Sequence, residues 1–158
     1  MRIVVAADHR GYPYKATVVR ALTDDGHHVQ DLGTTSTDAV DYPDYAIAVG
    51  TEVRDGRADL GVLVCGSGAG VSIAANKIRG VRAVLAHDLF TARQSREDDD
   101  ANVICLGTGV VDVEHAVALI REFVAARFSK AERHVRRVGK VLALEASECG
   151  RPDRTGRL

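Results

Sequence analysis

Three features of the sequence predict an α/β fold with a doubly wound, open, parallel five-stranded sheet and a C-terminal helix. Five short apolar runs rich in β-branched residues recur at 3–7, 28–32, 60–65, 82–87 and 102–106. Each ends in Gly, Asp or a Gly-containing turn, as strands do. Stretches with helical spacing separate these runs, and strand–helix alternation along the whole chain is the pattern of parallel βαβ units. The run LGVLVC at 60–65 is apolar throughout, which suits a central strand covered on both faces. Together these make a Rossmann-like layered sheet.

The connecting helices follow in order. Tyr14, Val18, Val19 and Leu22 repeat at three and four residues, with Gly26 as a stop. Pro43 suits a first helical turn, and Ile47, Val49 and Val53 continue that helix. A helical segment, 71–78, follows the glycine-rich stretch after the third run. Asp112 can cap a helix whose Val113, Ala116, Val117, Ile120, Val124 and Phe128 share a face. Ser129 with Glu132 three residues on is a capping-box signature for a last helix running to about Ala146. Gly150 and Pro152 would terminate it. The chain thus divides into one domain, 1–147, and a flexible polar tail, 148–158.

At 158 residues with 46% apolar composition, the chain is one domain able to bury a sizeable core. Its 21 Lys+Arg against 22 Asp+Glu leave a formal charge of −1, which argues against nucleic acid or a membrane surface as partner. No apolar run approaches the roughly 20 residues of a membrane span, and the N-terminus does not read as a signal peptide. The expected location is therefore cytoplasmic. The three cysteines (65, 105, 149) have no CxxC spacing, so neither a disulfide framework nor a zinc site is indicated.

In sheets of this kind ligands bind beyond the carboxyl ends of the strands. That rule selects Asp8-His9-Arg10-Gly11, Gly33-Thr34, residues 65–70, His87-Asp88 and Gly107-Thr108-Gly109. The richest is Cys65-Gly66-Ser67-Gly68-Ala69-Gly70, where alternating glycines admit an anion and a helix start supplies N–H groups. A thiol at this junction would have its thiolate favoured. Two plainer readings compete: a purely geometric turn, and a buried strand-end cysteine. A dinucleotide site is a further rival, with Asp88 about 20 residues on. The spacing is GxGxG rather than GxGxxG, however, and it follows the third strand rather than the first. No Gly-Lys-Ser/Thr follows, so a Walker loop is excluded. Asp8-His9 offers a carboxylate beside an imidazole, or simply a turn and cap. Arg133, His134, Arg136 and Arg137 put several cations on one to two turns of the last helix, and Arg133 and Arg137 are i,i+4 neighbours whose planar guanidiniums suit phosphate. Taken in isolation, a solvated basic face weighs more. Cys105 reads as core, and His27, His28 and His115 as residues without a role.

The segments ADHRGY (7–12), DLGT (31–34), DYPDYA (41–46), ADLGVLVCGSGAGVSIAANKIRGVRA (58–83), ANVICLG (101–107) and SKAERHVRRV (129–138) change that balance. Over about residues 1–146 the chain resembles type B ribose-5-phosphate isomerases and their galactose-6-phosphate isomerase relatives. The resemblance implies a metal-free, cofactor-free aldose–ketose interconversion of a small sugar phosphate through a cis-enediolate. It assigns the general base to Cys65, because the glutamate used in another branch is Val71 here. Ser67 matches a hydroxyl near the reacting carbonyl. The backbone of Gly66, Gly68, Ala69 and Gly70 would form an oxyanion hole. Asp8 and His9 match positions contacting sugar and phosphate, and Arg133 and Arg137 match phosphate-binding arginines. Family sites lie between subunits, so a homodimer or dimer of dimers is expected.

Two departures stand beside the substrate. Where many pentose-phosphate members carry His-Asn, this chain has Asp98-Asp99, and the histidine is thought to assist ring opening. An arginine after the fifth strand is replaced by Gly109. Three successive carboxylates (98–100) would repel a phosphorylated ligand unless they point outward or pair with Arg93 or Arg96. Ring opening then falls to Asp98 or His87, or the substrate is a tetrose 4-phosphate that cannot cyclise, or a hexose 6-phosphate. The expected reaction is ribose 5-phosphate to ribulose 5-phosphate. The alternatives are another sugar phosphate or a binding protein that has lost catalysis.

Overall fold

The computed structural model describes residues 1–148. Strands β1 (Arg2–Ala7), β2 (His28–Asp31), β3 (Leu60–Cys65), β4 (Ala83–Leu85) and β5 (Val103–Gly107) form one sheet in the order β2-β1-β3-β5-β4. Every neighbouring pair is parallel. The chain moves outward from β1 to β2, then crosses back to β3 on the other side of β1. The crevice between the carboxyl ends of β1 and β3 is therefore a topological switch point, where α/β sheets bind ligands. β3 is buried along its whole length, as its unbroken apolar run predicts.

Alternate residues of each strand feed two cores. On one face Ile3, Val5, Val62, Val64, Ile104 and Leu106 pack beneath α1 (Tyr12–Asp24), α4 (Leu89–Asp99) and α5 (Val113–Ala125). On the other, Val4, Ala6, Leu63, Cys65, Val103 and Cys105 pack beneath α2 (Tyr42–Arg54) and α3 (Ala69–Ala75). The helix starts agree with the sequence: Pro43 stands in the first turn of α2, and the Asp112 carboxylate accepts the His115 N–H at 2.7 Å. Of the residues expected to continue α2, Val49 is buried, with Ala46 and Gly50 beside it, while Ile47 is 53% exposed.

The last helix, α6 (Glu132–Glu148), begins differently from expectation. Ser129 and Glu132 form no capping box. The Ser129 hydroxyl instead pairs with His134 Nδ1 at 2.7 Å and accepts the Ala131 N–H at 3.3 Å, while its main-chain N–H donates to the Glu97 carbonyl at 2.9 Å. The helix is thus tied to the end of α4. It extends through the expected stop near Ala146 to Glu148, and only His134 on it is buried. Gly150, Pro152, Cys149 and all but the first residue of the expected tail lie outside the described residues.

Candidate active site

Three loops converge at the switch point. Residue 11 must be glycine, since a Cβ there would stand 2.0 Å from the Val64 carbonyl oxygen. That close approach lays the 8–11 turn against the end of β3. Asp8 is buried and its Oδ1 accepts the N–H groups of Arg10 and Gly11, each at 2.9 Å. This is the turn-and-cap role of a short carboxylate, and it fixes the carboxylate at the mouth of the crevice. His9 is half-buried, and its Nδ1 accepts the Val40 N–H at 3.3 Å. In the neutral ring the proton therefore resides on Nε2.

Cys65 closes β3 with 5% exposure. The Gly68 N–H donates to its Sγ at 3.0 Å, a hydrogen bond that is stronger to a thiolate than to a thiol. Gly68 has φ +80°, the left-handed region, and a Cβ there would meet Leu85 Cδ1 at 2.3 Å. Ser67 is exposed beside it and its Oγ accepts the Ala69 N–H at 3.3 Å. Gly70 faces the Tyr42 ring, which a Cβ would touch at 3.0 Å. Thr108 and Gly109 donate to the carbonyls of Cys65 and Gly66, each at 2.9 Å, stitching the β5 loop to the glycine loop. Arg10 lays its side chain across Gly66. Sequence reading assigned no role to Tyr42 or Arg10, although both lie inside the motifs DYPDYA and ADHRGY.

The other expected site residues stand elsewhere. Asp98 and Asp99 end α4, which runs antiparallel to the strands and so finishes at their amino edge. Just beyond, the Asn102 carbonyl accepts the Gly61 N–H at the start of β3, and its side-chain oxygen accepts the Arg82 N–H. Arg137 shares a cleft of about 340 Å³ with Asp99, Ala83, Val84 and Ala101, at that same edge. Arg133 lies one turn before Arg137 and is exposed. Within one chain, Asp98, Asp99, Arg133 and Arg137 are thus separated from Cys65 by the length of β3, roughly 15 Å or more.

The three carboxylates do not gather as one negative patch. Asp98 Oδ1 lies 3.2 Å from His134 Nδ1, and its Oδ2 accepts from Gln94 at 3.0 Å. Asp99 faces solvent. Asp100 pairs with Arg82 at 2.8 Å and more loosely with Arg96 at 3.6 Å, while Arg93 is taken by Glu122. Asp88, spaced as a dinucleotide motif asks, caps α4: it accepts the Thr91 N–H and hydroxyl, each at 2.8 Å, which hold its carboxyl below the usual range. Cys105 is fully buried, and burial pushes its thiol well above the ordinary range, so it is inert. Among the described residues, no group of three or more His, Cys, Asp or Glu converges to hold a metal ion, and no helix is long and apolar enough to cross a membrane.

Comparison with known proteins gives the family and the fold. The family model described as Ribose/Galactose Isomerase matches residues 3–141. The chain is 42% identical to the probable ribose-5-phosphate isomerase B of Mycoplasma pneumoniae over 144 residues, covering 90% of this chain and 94% of that one. It is 36% identical to D-erythrulose-4-phosphate isomerase 2 of Mycolicibacterium smegmatis, covering 93% and 99%. Among solved structures it is similar to the ribose-5-phosphate isomerase B of Mycoplasma genitalium with bound ribulose-5-phosphate, with TM-score 0.87, 38% identity and coverage of 92% and 96%. The family model over residues 3–141, the shared five-stranded parallel architecture and a match over nine-tenths of the sequence lead to one conclusion: this chain belongs to the ribose/galactose isomerase family.

Proposed function

We propose that this chain interconverts an aldose phosphate and a ketose phosphate, with ribose 5-phosphate and ribulose 5-phosphate as its pair, and that Cys65 is the general base. The observation that carries the reading is the Cys65 sulfur at the β1/β3 switch point with the Gly68 N–H directed onto it. The thiolate takes the C2 proton of the open-chain aldose and returns it to C1. The hydroxyl proton leaves O2 as O1 gains one, so the cis-enediolate collapses to the ketose with no net change in protons. Ser67 and the amides of the glycine loop serve the oxygen that becomes negative. Asp8 and His9 orient the sugar from the neighbouring turn.

The phosphate needs Arg133 and Arg137, and these stand at the far edge of the same chain's sheet. A second copy supplies them, along with Asp98 and Asp99. Support comes from α6, which leaves Val135, Val141, Leu142 and Leu144 exposed on a single helix. Such an apolar helix calls for cover by another surface, and a homodimer provides it.

A second reading has its own support. Asp98 stands where a ring-opening histidine is expected, and its carboxylate is engaged by His134 and Gln94. A tetrose 4-phosphate needs no ring opening, and a relative named for D-erythrulose-4-phosphate is 36% identical. The deciding experiment is an isomerisation assay on ribose 5-phosphate, erythrose 4-phosphate, allose 6-phosphate and galactose 6-phosphate, with Cys65→Ala alongside. Ribose 5-phosphate turnover that falls by about a hundredfold or more in Cys65→Ala, with binding retained, is the expected result. Turnover confined to the tetrose favours the second reading. Binding without turnover of any of the four would leave a non-catalytic binder.

A further inference from the structure

Arg10 is a guanidinium with no hydrogen-bond or ion-pair partner for its side chain among the described residues. Only its main-chain atoms are bonded, the N–H to the Asp8 carboxylate and the carbonyl to the Thr108 hydroxyl. Arg2, Arg82 and Arg121, by contrast, are each tied to a carboxylate. Yet Arg10 is not a loose surface chain. Its Cδ and Nε lie 2.9 Å, and its Cζ 3.3 Å, from where a Cβ on Gly66 would stand. Any side chain at 66 would displace it, so the glycine between Cys65 and Ser67 is what admits the guanidinium.

The base of that side chain is held rigidly. The Arg10 N–H donates to Asp8 Oδ1 at 2.9 Å, and its carbonyl accepts the Thr108 hydroxyl at 3.2 Å. The next residue, Gly11, is wedged beneath the Val64 carbonyl. The turn thus presents five N–H donors in a planar fork at the lip of the crevice. Position 109 borders the same spot, since its N–H donates to the Gly66 carbonyl at 2.9 Å, but as glycine it brings no charge. The cation beside Gly66 comes from the first loop of the sheet and not from the last.

We propose that Arg10 binds the phosphate group of the substrate, from the same chain that supplies Cys65. This rests on the sugar-phosphate reading above and adds a specificity residue to it. A planar fork matches two phosphate oxygens at once, whereas the enediolate oxygen is served by the glycine-loop amides. Phosphate is equally charged in ground and transition states, so Arg10 contributes uniform binding.

The test is steady-state kinetics with ribose 5-phosphate, together with calorimetric titration of inorganic phosphate, on the full chain and on Arg10→Ala, Arg10→Lys and Arg10→Ala/Gly109→Arg. In Arg10→Ala, KM and the phosphate Kd should both rise by on the order of tenfold or more while kcat holds within about twofold. Arg10→Lys should fall between, because it keeps the charge and loses the fork. Partial recovery in the double variant would show that a guanidinium bordering Gly66 suffices. The melting temperature should not move, since the side chain is exposed and makes no hydrogen bond or ion pair among the described residues. Unchanged KM and phosphate Kd in Arg10→Ala would overturn the proposal, as would a fall in kcat alone. If the parent chain turns over no sugar phosphate, the reading of its function fails, and the phosphate titration still decides Arg10. A weakened Kd in Arg10→Ala then supports the assignment, and an unchanged Kd, or a parent that binds no phosphate, overturns it.

Discussion

Cys65 and Cys105 lie on adjacent strands of one sheet face, and their surroundings give them different chemistry. Cys105 is sealed among apolar side chains, while Cys65 meets an N–H donor at the rim of the crevice. What holds Cys65 in that position is backbone contact, concentrated at glycines. Gly11 allows the first turn to lie on the Val64 carbonyl, and Gly107 lets the fifth strand pass the Ser67 backbone, which a Cβ would meet at 2.4 Å. Gly11→Ala should therefore cost about 3 kcal/mol or more, because backbone rather than a flexible side chain blocks the new methyl. Urea unfolding checks this, and a loss below 1 kcal/mol would mean that the 8–11 turn can lift away from β3. At this scale the sequence is a good guide where a motif is local. Asp8, His9, Cys65 and Ser67 sit at strand ends that the β-branched runs mark plainly. Arg10 and Tyr42 are not legible, because their value lies in reaching across to Gly66 and Gly70, contacts between segments that no local spacing encodes.

Helices α4 and α6 show where pattern reading weakens. Helix α4 buries only Ala92 and Ser95 and carries no apolar stripe. It is held by the Asp88 cap and by Arg96 lying over the Phe123 ring at 5.6 Å. Strands β1, β3 and β5 and helices α1, α2 and α5 are legible because each buries an apolar face, whereas the edge strand β2 leaves His28, Gln30 and Asp31 exposed. Helix α6 reads from sequence as a basic helix, with His134 as one more cation of its cluster. In the fold His134 is 3% exposed and joins Ser129 and Asp98, so it fastens α6 to α4. On the proposed function it is a positioning residue for Arg133 and Arg137, which lie on the same helix. His134→Ala should destabilise the chain by about 2 kcal/mol, from lost packing and the lost contacts to the Ser129 hydroxyl and the Asp98 carboxylate. Amide exchange should speed up through α6 while β3 stays protected, and KM should rise more than kcat falls. Uniform acceleration over the whole sheet would instead mark His134 as a general core residue.

At the scale of the whole molecule, the parallel sheet has two edges with different tasks. Helices that follow strands return to the amino edge, so residues at their C-terminal ends cannot reach the carboxyl edge of their own chain. The βαβ order alone therefore implies that Asp98 and Asp99, just before β5, lie opposite Cys65. Sequence motifs collected them into one list because a motif carries no edge. A site that uses both sets must be assembled from two copies, each giving its carboxyl edge to one site and its amino edge to another. This has a consequence that a single-chain site cannot imitate. Cys65→Ala and Arg133→Ala/Arg137→Ala should each be nearly inactive alone. When the two are unfolded together and refolded as an equal mixture, half the dimers are mixed. Each mixed dimer holds one site with both defects and one with none, so activity should return to about a quarter of the parent value. Refolding each variant separately and mixing them afterwards should restore less, in step with subunit exchange. A mixture that stays inactive while mixed dimers are present by mass would place the arginines in the same chain's site, and the shared arrangement would be wrong.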